Sequence, residues 1–189
     1  MPHILTLCGS LRTKSSNAAL LAAAGLLAPA GVTVAPYLAL AALPAFSPDL
    51  DTPDGEPAPP AAVIHWRSAL QGADAVLVSS PEYAHGLPGA LKNALDWVVG
   101  SGELVGKPVG VLSASSASQY AHPQLVEVLA TMTAVVVPGA TRVINIPRRG
   151  ADAAALVADP ACAVAPREVV GALVAAANGH QVEANAATR

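Results

Sequence analysis

The chain is of moderate length, rich in apolar residues and weakly charged. It has 189 residues, 53% of them hydrophobic and 12% charged, and a formal net charge of -3. This length suits one compact domain, and the weak negative charge argues against a nucleic-acid partner, which would need a clustered basic surface.

The apolar runs are short. Pro, Gly or a polar residue interrupts each run before it reaches the roughly 18–20 residues of a bilayer span, so we expect no membrane partner. No basic leader precedes an apolar stretch at the N-terminus, and the two cysteines, Cys8 and Cys162, form no CxxC pair. These features predict a soluble protein of a reducing compartment, the cytoplasm.

The pattern of apolar residues predicts strands that alternate with helices. Short apolar runs indicate five buried strands, at residues 3–8, 32–38, 73–79, 108–113 and 134–137. Longer segments rich in Ala and Leu indicate helices at residues 16–27, 61–71, 89–99, 122–131 and 167–177. Residues 41–60 are dense in Pro, Asp and Gly and predict a long loop, a feature that is usually functional in a compact domain.

This order of elements predicts an α/β fold. Strands that are apolar throughout and separated by helices form a parallel sheet covered on both faces. Five such units favour a flavodoxin-like three-layer sandwich with strand order 2-1-3-4-5, in which a ligand binds at the carboxyl ends of strands 1 and 3. We expect one domain over residues 1–178 and a frayed tail over residues 179–189.

The loop after the first predicted strand is rich in donors for an anion. Residues 9–17 read GSLRTKSSN and lead directly into a helix, whose free N–H groups favour a phosphate. Hydroxyl, guanidinium and amide groups in this loop can bind phosphate oxygens: Ser10, Arg12, Ser15, Ser16 and Asn17. The alternative for Ser15 or Ser16 is simple capping of the helix. The loop matches neither GxGxxG nor GxxxxGK[ST].

The loop after the third predicted strand has a different character. It begins the segment SPEYAHGLPGALKNALDW, residues 80–97, in which two prolines and two glycines predict an irregular backbone that can lie against a flat ligand. Leu91, Leu95 and Val98 share a helical face and are expected in the core.

Together, these two segments resemble the paired signatures of the NADPH-dependent FMN reductase family. Its members are flavodoxin-like flavoproteins that include quinone, azo and chromate reductases, and the resemblance extends from about Ile4 to Val137. It implies that the first loop holds the FMN phosphate and that the second loop lines the isoalloxazine ring through Pro81, Glu82, Tyr83, Ala84, His85 and Gly86. Ser113 and Ser115 follow the fourth strand, where the family usually has a Ser/Thr and a Gly-Gly turn; this chain lacks the glycine pair.

The resemblance also implies a function. Hydride would pass from NADPH or NADH to FMN and then to a quinone-like or other small acceptor, with no catalytic side chain, in a homodimer or homotetramer. The five histidines show no HxxxH or HExxH spacing, so we expect no metal. One alternative is a flavin-binding electron carrier without enzyme activity. Another is a low-molecular-weight phosphatase that uses Cys8, because Cys8-x5-Lys14-Ser15 is similar to the Cx5R[ST] loop, although Lys14 stands where that reaction needs a guanidinium.

Overall fold

The computed structural model describes residues 1–52, 56–115, 118–146 and 150–187, with side chains up to residue 182. Its centre is one parallel sheet of five strands in the order β2-β1-β3-β4-β5. The strands are β1 (His3–Cys8), β2 (Thr33–Tyr37), β3 (Ala75–Ser79), β4 (Pro108–Ser113) and β5 (Val135–Val143). The predicted flavodoxin-like order is confirmed.

Helices cover both faces of the sheet. They are α1 (Ser16–Leu26), α2 (Ala61–Gln71), α3 (Gly89–Asp96), α4 (Ala121–Thr131), α5 (Ala153–Ala158) and α6 (Pro160–Ala187). The core between the sheet and α2, α3 and α4 includes Trp66, Leu95 and Leu125, and the core under α1 and α6 includes Leu20 and Leu173. Because both faces are covered, every residue of β3 and β4 is buried, which explains why these strands are apolar runs without alternation.

The predicted loop at residues 41–60 packs against helix α3 and the residue that follows it. A short 3-10 helix, Leu40–Ala42, leads into the loop, and a second one, Pro48–Leu50, lies within its described part; residues 53–55 lie outside the described residues. The carbonyl of Pro44 accepts hydrogen bonds from Asn93 Nδ2 and Trp97 Nε1, both at 2.8 Å. Phe46 then packs edge-on against the ring of Trp97, with the ring centroids 5.1 Å apart.

The C-terminal third differs from the sequence prediction. β5 continues to Val143 through a register shift opposite Val109 and Val111, because Pro138 and Gly139 are accommodated in the strand rather than ending it. Helix α6 begins at Pro160, ahead of the predicted start at residue 167, and Pro166 lies within it. Helix α5 was not predicted.

Most of the segment expected as a C-terminal tail belongs to helix α6. Helix α6 continues past Gly179 to Ala187, and Gln181 Nε2 donates a hydrogen bond to Asp74 Oδ1 at 2.7 Å. That contact ties the helix to the residue just before β3. Residues 188 and 189 of the predicted tail lie outside the described residues.

One described helix reaches the length and hydropathy of a membrane span. It is the segment Pro160–Val182 of α6, with a mean hydropathy of 1.3. Its apolar side chains Val169, Val170, Leu173 and Ala177 are fully buried in the core against the sheet. Packing in the sandwich therefore accounts for these four apolar positions of the helix.

Candidate functional site

A cleft of about 640 Å³ opens at the carboxyl edge of the sheet, a volume within the usual range for small-molecule sites. The register of the strands places it there, because Cys8 of β1 lies opposite Ser79 of β3, and both strands end at the same edge. The loops that follow β1, β3, β4 and β5 all contribute to its lining. The cleft therefore occupies the position that the strand order predicts for a ligand.

The first loop supplies one end of the cleft. All five of its predicted site residues line it: Ser10, Arg12, Ser15, Ser16 and Asn17. Lys14, which the sequence analysis did not assign to the site, lines it as well. Arg12 and Lys14 are exposed and form no ion pair with a described residue, so both cations are available to an anion in the cleft.

Ser15 caps helix α1. Its Oγ accepts the N–H of Ala18 at 3.3 Å, so the capping alternative raised from the sequence is correct for this residue. Ser15 nevertheless lines the cleft at the positive end of the helix dipole. Ser15 can therefore cap α1 and also line the end of the cleft that is predicted to bind a phosphate.

Asn17 joins the first loop to the third strand. Its Oδ1 accepts a hydrogen bond from Ser79 Oγ at 2.9 Å, and both side chains are buried. The Nδ2 group of Asn17 donates to no other described residue. Asn17 therefore has a structural partner on one side and two N–H groups left for a ligand on the other.

The second loop forms a tight reverse turn. The backbone groups of Tyr83 and Gly86 exchange two hydrogen bonds of 3.0 Å, and the central residues Ala84 and His85 have φ values of 49° and 58°. This is the left-handed region that Gly and Asn tolerate best, so the turn holds two residues in a costly conformation. Pro81, Glu82 and Tyr83 line the cleft, whereas Ala84, His85 and Gly86 are not among its lining residues.

The side chain of Glu82 has a partner on another loop. Its Oε2 accepts the N–H groups of Tyr120 at 2.7 Å and of Ala121 at 2.9 Å, at the start of α4. These bonds, with that to Ala121 first, lower the pKa of the Glu82 carboxyl below its usual value, and the nearby His85 acts in the same direction. Glu82 is therefore ionised throughout the neutral range.

The connection after β4 supplies another part of the cleft lining. Ala114, Ser115 and Ser118 line the cleft, while Ser116 and Ala117 lie outside the described residues. Ser113 is not among the lining residues, because its buried Oγ forms a hydrogen bond of 2.8 Å with Nδ1 of His122. Of the two serines predicted here, the structure brings only Ser115 to the cleft.

Three cleft residues follow β5: Asn145, Ile146 and Gly150. Sequence reasoning missed them because it ended this strand at residue 137, so no loop was expected at this point of the sheet edge. The signal that could have revealed them is the return of β-branched residues at Thr141 and Val143 after the Pro-Gly pair.

The structure gives no support to a nucleophilic Cys8. The thiol is half-buried, with its Sγ 3.5 Å from the carbonyl oxygen of Ser10 and 3.8 Å from Ser15 Oγ. Burial raises its pKa above the usual value, whereas a nucleophile needs the thiolate. Among the described residues there is also no cluster of three His, Cys, Asp or Glu side chains that could hold a metal.

A comparison with protein families decides the classification. The family model described as NADPH-dependent FMN reductase matches residues 2–146, which include both signature loops and every cleft residue except Gly150. The chain belongs to this family. The resemblance noted from the two loop motifs is thereby confirmed.

Named relatives are similar to this chain over part of their length. A quinone reductase of Escherichia coli strain K12 is 34% identical over 115 residues, covering 60% of this chain and 60% of that protein. A probable NADPH:quinone oxidoreductase of rice, Oryza sativa subsp. japonica, is 39% identical over 116 residues, covering 59% of this chain and 57% of the relative. The chain thus spans about 60% of the length of the curated relatives that it matches.

Solved structures agree on the fold. FerB, a flavoenzyme NAD(P)H:(acceptor) oxidoreductase from Paracoccus denitrificans, superposes with a TM-score of 0.71 at 24% identity, covering 95% of this chain and 99% of that chain. At this level of identity the likeness establishes the architecture alone.

Proposed function

We propose that this protein is an FMN-dependent oxidoreductase that takes electrons from NADPH or NADH and delivers them to a quinone-like acceptor. The observation that carries the proposal is the continuity of the cleft. A cationic, donor-rich end at the N-terminus of α1 leads directly between the walls that follow β3 and β4. That combination suits a ligand with a phosphate at one end and a flat ring at the other.

The residues present fit FMN. The hydroxyls of Ser10 and Ser16, the amide of Asn17 and the guanidinium of Arg12 would hold its phosphate. Lys14 adds a second cation near the same end. Pro81 and Tyr83 on one wall, with Ser115 and Ser118 on the other, would hold the ring. When bound, FMN supplies the redox chemistry, namely uptake of a hydride from the nicotinamide and release of electrons to the acceptor.

The chain's own residues then have three tasks: to neutralise the phosphate, to orient the ring and to leave one side of it accessible. Tyr83 is 53% exposed although it lines the cleft, so the second loop lies at an open mouth rather than over a closed chamber. An open mouth allows donor and acceptor to reach the same site in turn. The chemistry needs no acid–base pair from the protein.

Names of relatives support the choice of acceptor. The relatives from Escherichia coli and rice are named as quinone reductase and NADPH:quinone oxidoreductase. We extend this acceptor class to the present chain as part of the proposal, together with assembly as a homodimer or homotetramer. Exposed apolar side chains around the cleft, Leu11, Tyr83 and Tyr120, are compatible with coverage by a second copy.

A single experiment distinguishes the oxidoreductase from the flavin-binding electron carrier. The purified protein is loaded with FMN, freed of excess cofactor, and titrated anaerobically with NADPH and with NADH while the flavin absorption is followed. Bleaching by either donor, and recovery on adding benzoquinone, supports the oxidoreductase. FMN that binds but is not reduced by either nicotinamide supports the electron carrier, and no binding of FMN overturns both.

A further inference from the structure

The second loop and the start of α4 are joined by three separate contacts, which we call the loop bridge: Glu82, His85 and Leu87 on one side, Tyr120, Ala121 and Gln124 on the other. Glu82 Oε2 accepts the two backbone N–H groups at the start of α4. The rings of His85 and Tyr120 stack with centroids 4.3 Å apart and an interplanar angle of 22°. Gln124 Oε1 accepts the N–H of Leu87 at 2.9 Å.

Helix α4 depends on this bridge for its N-terminal hydrogen bonds. The first N–H groups of any helix have no partner within the helix, and a Ser, Thr, Asp or Asn at the N-cap usually satisfies them. Here the N-cap residue is Tyr120, and it makes no side-chain cap bond. Glu82 supplies the missing acceptor from 38 residues earlier in the chain. The acceptor at the start of α4 therefore comes from a distant part of the chain, and it links the second loop to the connection before α4.

The turn of the second loop has a matching need. Ala84 and His85 are held at positive φ without the Gly or Asn that such a turn favours. A conformation of this kind persists only where surrounding contacts hold it. The stacked ring of His85 and the Gln124 bond to Leu87 are the contacts on the far side of the turn.

The bridge is part of the cleft lining. Glu82 lines the cleft between Pro81 and Tyr83, and its partner Tyr120 follows Ser118, which lines the cleft after β4. The Glu82 carboxylate therefore joins the cleft lining after β3 to the residues that follow the lining after β4. A flat ring held between the walls would be sensitive to the distance between them.

We propose that Glu82 is a positioning residue, whose carboxylate fastens the connection between β4 and α4 to the second loop and so sets the spacing of the cleft walls. This inference rests on the proposed function, because the spacing of the cleft walls can affect the catalytic rate only if a flavin ring binds between them. In this role the Glu82 carboxylate acts through its hydrogen bonds to the start of α4 and does not contact the reacting atoms.

The test compares Glu82→Ala with Glu82→Gln. The alanine variant removes the acceptor, so FMN affinity and kcat/KM should each fall by about 10- to 100-fold, as displaced site residues typically cause. The glutamine variant keeps an oxygen that can accept both N–H groups, and it should restore both quantities to within about threefold of wild type. Should Glu82→Ala fail to fold, Glu82→Asp replaces it, because its shorter side chain cannot reach both N–H groups.

The matched control is Asp159→Ala. Asp159 Oδ1 accepts the N–H of Ala161 at 2.9 Å at the start of α6, so this variant also removes a carboxylate from a helix N-terminus, but it lies outside the cleft lining. It should lower Tm and leave FMN affinity and kcat/KM unchanged. If Glu82→Ala changes these two quantities no more than Asp159→Ala does, the proposed positioning role is overturned.

Hydrogen exchange of the flavin-free protein tests the bridge without any activity. The amides of Tyr120 and Ala121 should exchange faster in Glu82→Ala than in wild type and should remain protected in Glu82→Gln and Asp159→Ala. Equal protection in all variants overturns the bridge. If Glu82→Ala shows the faster exchange but wild type binds no flavin, the proposed function is overturned while the bridge stands. The two failures are therefore distinguishable.

Discussion

Ser79 at the end of β3 and Asn17 in the first turn of α1 share a buried hydrogen bond of 2.9 Å, from the serine hydroxyl to the amide oxygen. The bond joins the roots of the two loops that carry the family signatures. Asn17 is a structural residue through this bond, and it is a candidate phosphate ligand because it also lines the cleft. These two roles can be separated by substitution.

Asn17→Ala leaves the buried Ser79 hydroxyl without its acceptor, which should lower the free energy of unfolding by about 1–3 kcal/mol. Asn17→Asp keeps an acceptor oxygen but adds a negative charge beside the phosphate end of the cleft. We therefore expect Asn17→Asp to weaken FMN binding more than riboflavin binding. Urea unfolding and flavin fluorescence titration measure the two effects, and equal losses for both flavins in Asn17→Asp would contradict the phosphate role.

Arg12 should bind the FMN phosphate through a charge-assisted hydrogen bond. Such bonds contribute roughly 1.5–3 kcal/mol, so Arg12→Ala should raise the Kd of FMN by about 10- to 100-fold. Riboflavin has no phosphate and should bind the variant as well as it binds wild type. Isothermal titration with both ligands measures the difference.

The control for Arg12 is Arg142→Ala, which makes the same change of charge on another exposed arginine. Arg142 pairs with Glu168 at 2.8 Å and is not among the residues that line the cleft. It should leave the Kd of FMN unchanged. A similar loss in both variants would indicate general electrostatics rather than a phosphate contact at Arg12.

The stability of the protein should decline in mild acid because of His122. Burial lowers the pKa of this imidazole below its usual value of 6.5. As the pH falls below about 6.5, the unfolded chain takes up a proton that the folded protein does not, so the free energy of unfolding decreases until the pH reaches the folded pKa. Above that window the contribution is fully present.

Urea denaturation between pH 7.5 and pH 5 measures this decline. His122→Gln should flatten it, because the titrating group is removed while an amide remains for the Ser113 hydroxyl. An unchanged slope in His122→Gln would show that other groups cause the acid loss.

Cys8→Ser should keep turnover with a quinone within a few-fold of wild type. The raised pKa of the thiol keeps it neutral, and serine preserves a small polar side chain at the end of β1. Steady-state NADPH oxidation and an assay with an aryl phosphate measure the two competing activities. Loss of all turnover with flavin still bound would instead assign Cys8 a chemical role.

The chain's local patterns were sufficient for much of this architecture. Strands buried on both faces must be apolar throughout, and their alternation with helices predicts the parallel sheet and the edge at which a ligand binds. The first loop was predictable for the same reason, because its donors are adjacent in sequence and precede a helix start. All five of its predicted site residues line the cleft.

Tertiary structure decided the features that join residues far apart in the chain. Glu82 lines the cleft, but only the fold shows that its carboxylate also accepts the N–H groups at the start of α4. Ser113 pairs with His122 rather than lining the cleft. Asn145 reaches the cleft only because β5 passes through a Pro-Gly pair that looks like a stop. Hydrogen-bond partners and strand ends of this kind depend on which backbone groups the fold leaves unsatisfied nearby, and a local pattern of residue types does not contain that information.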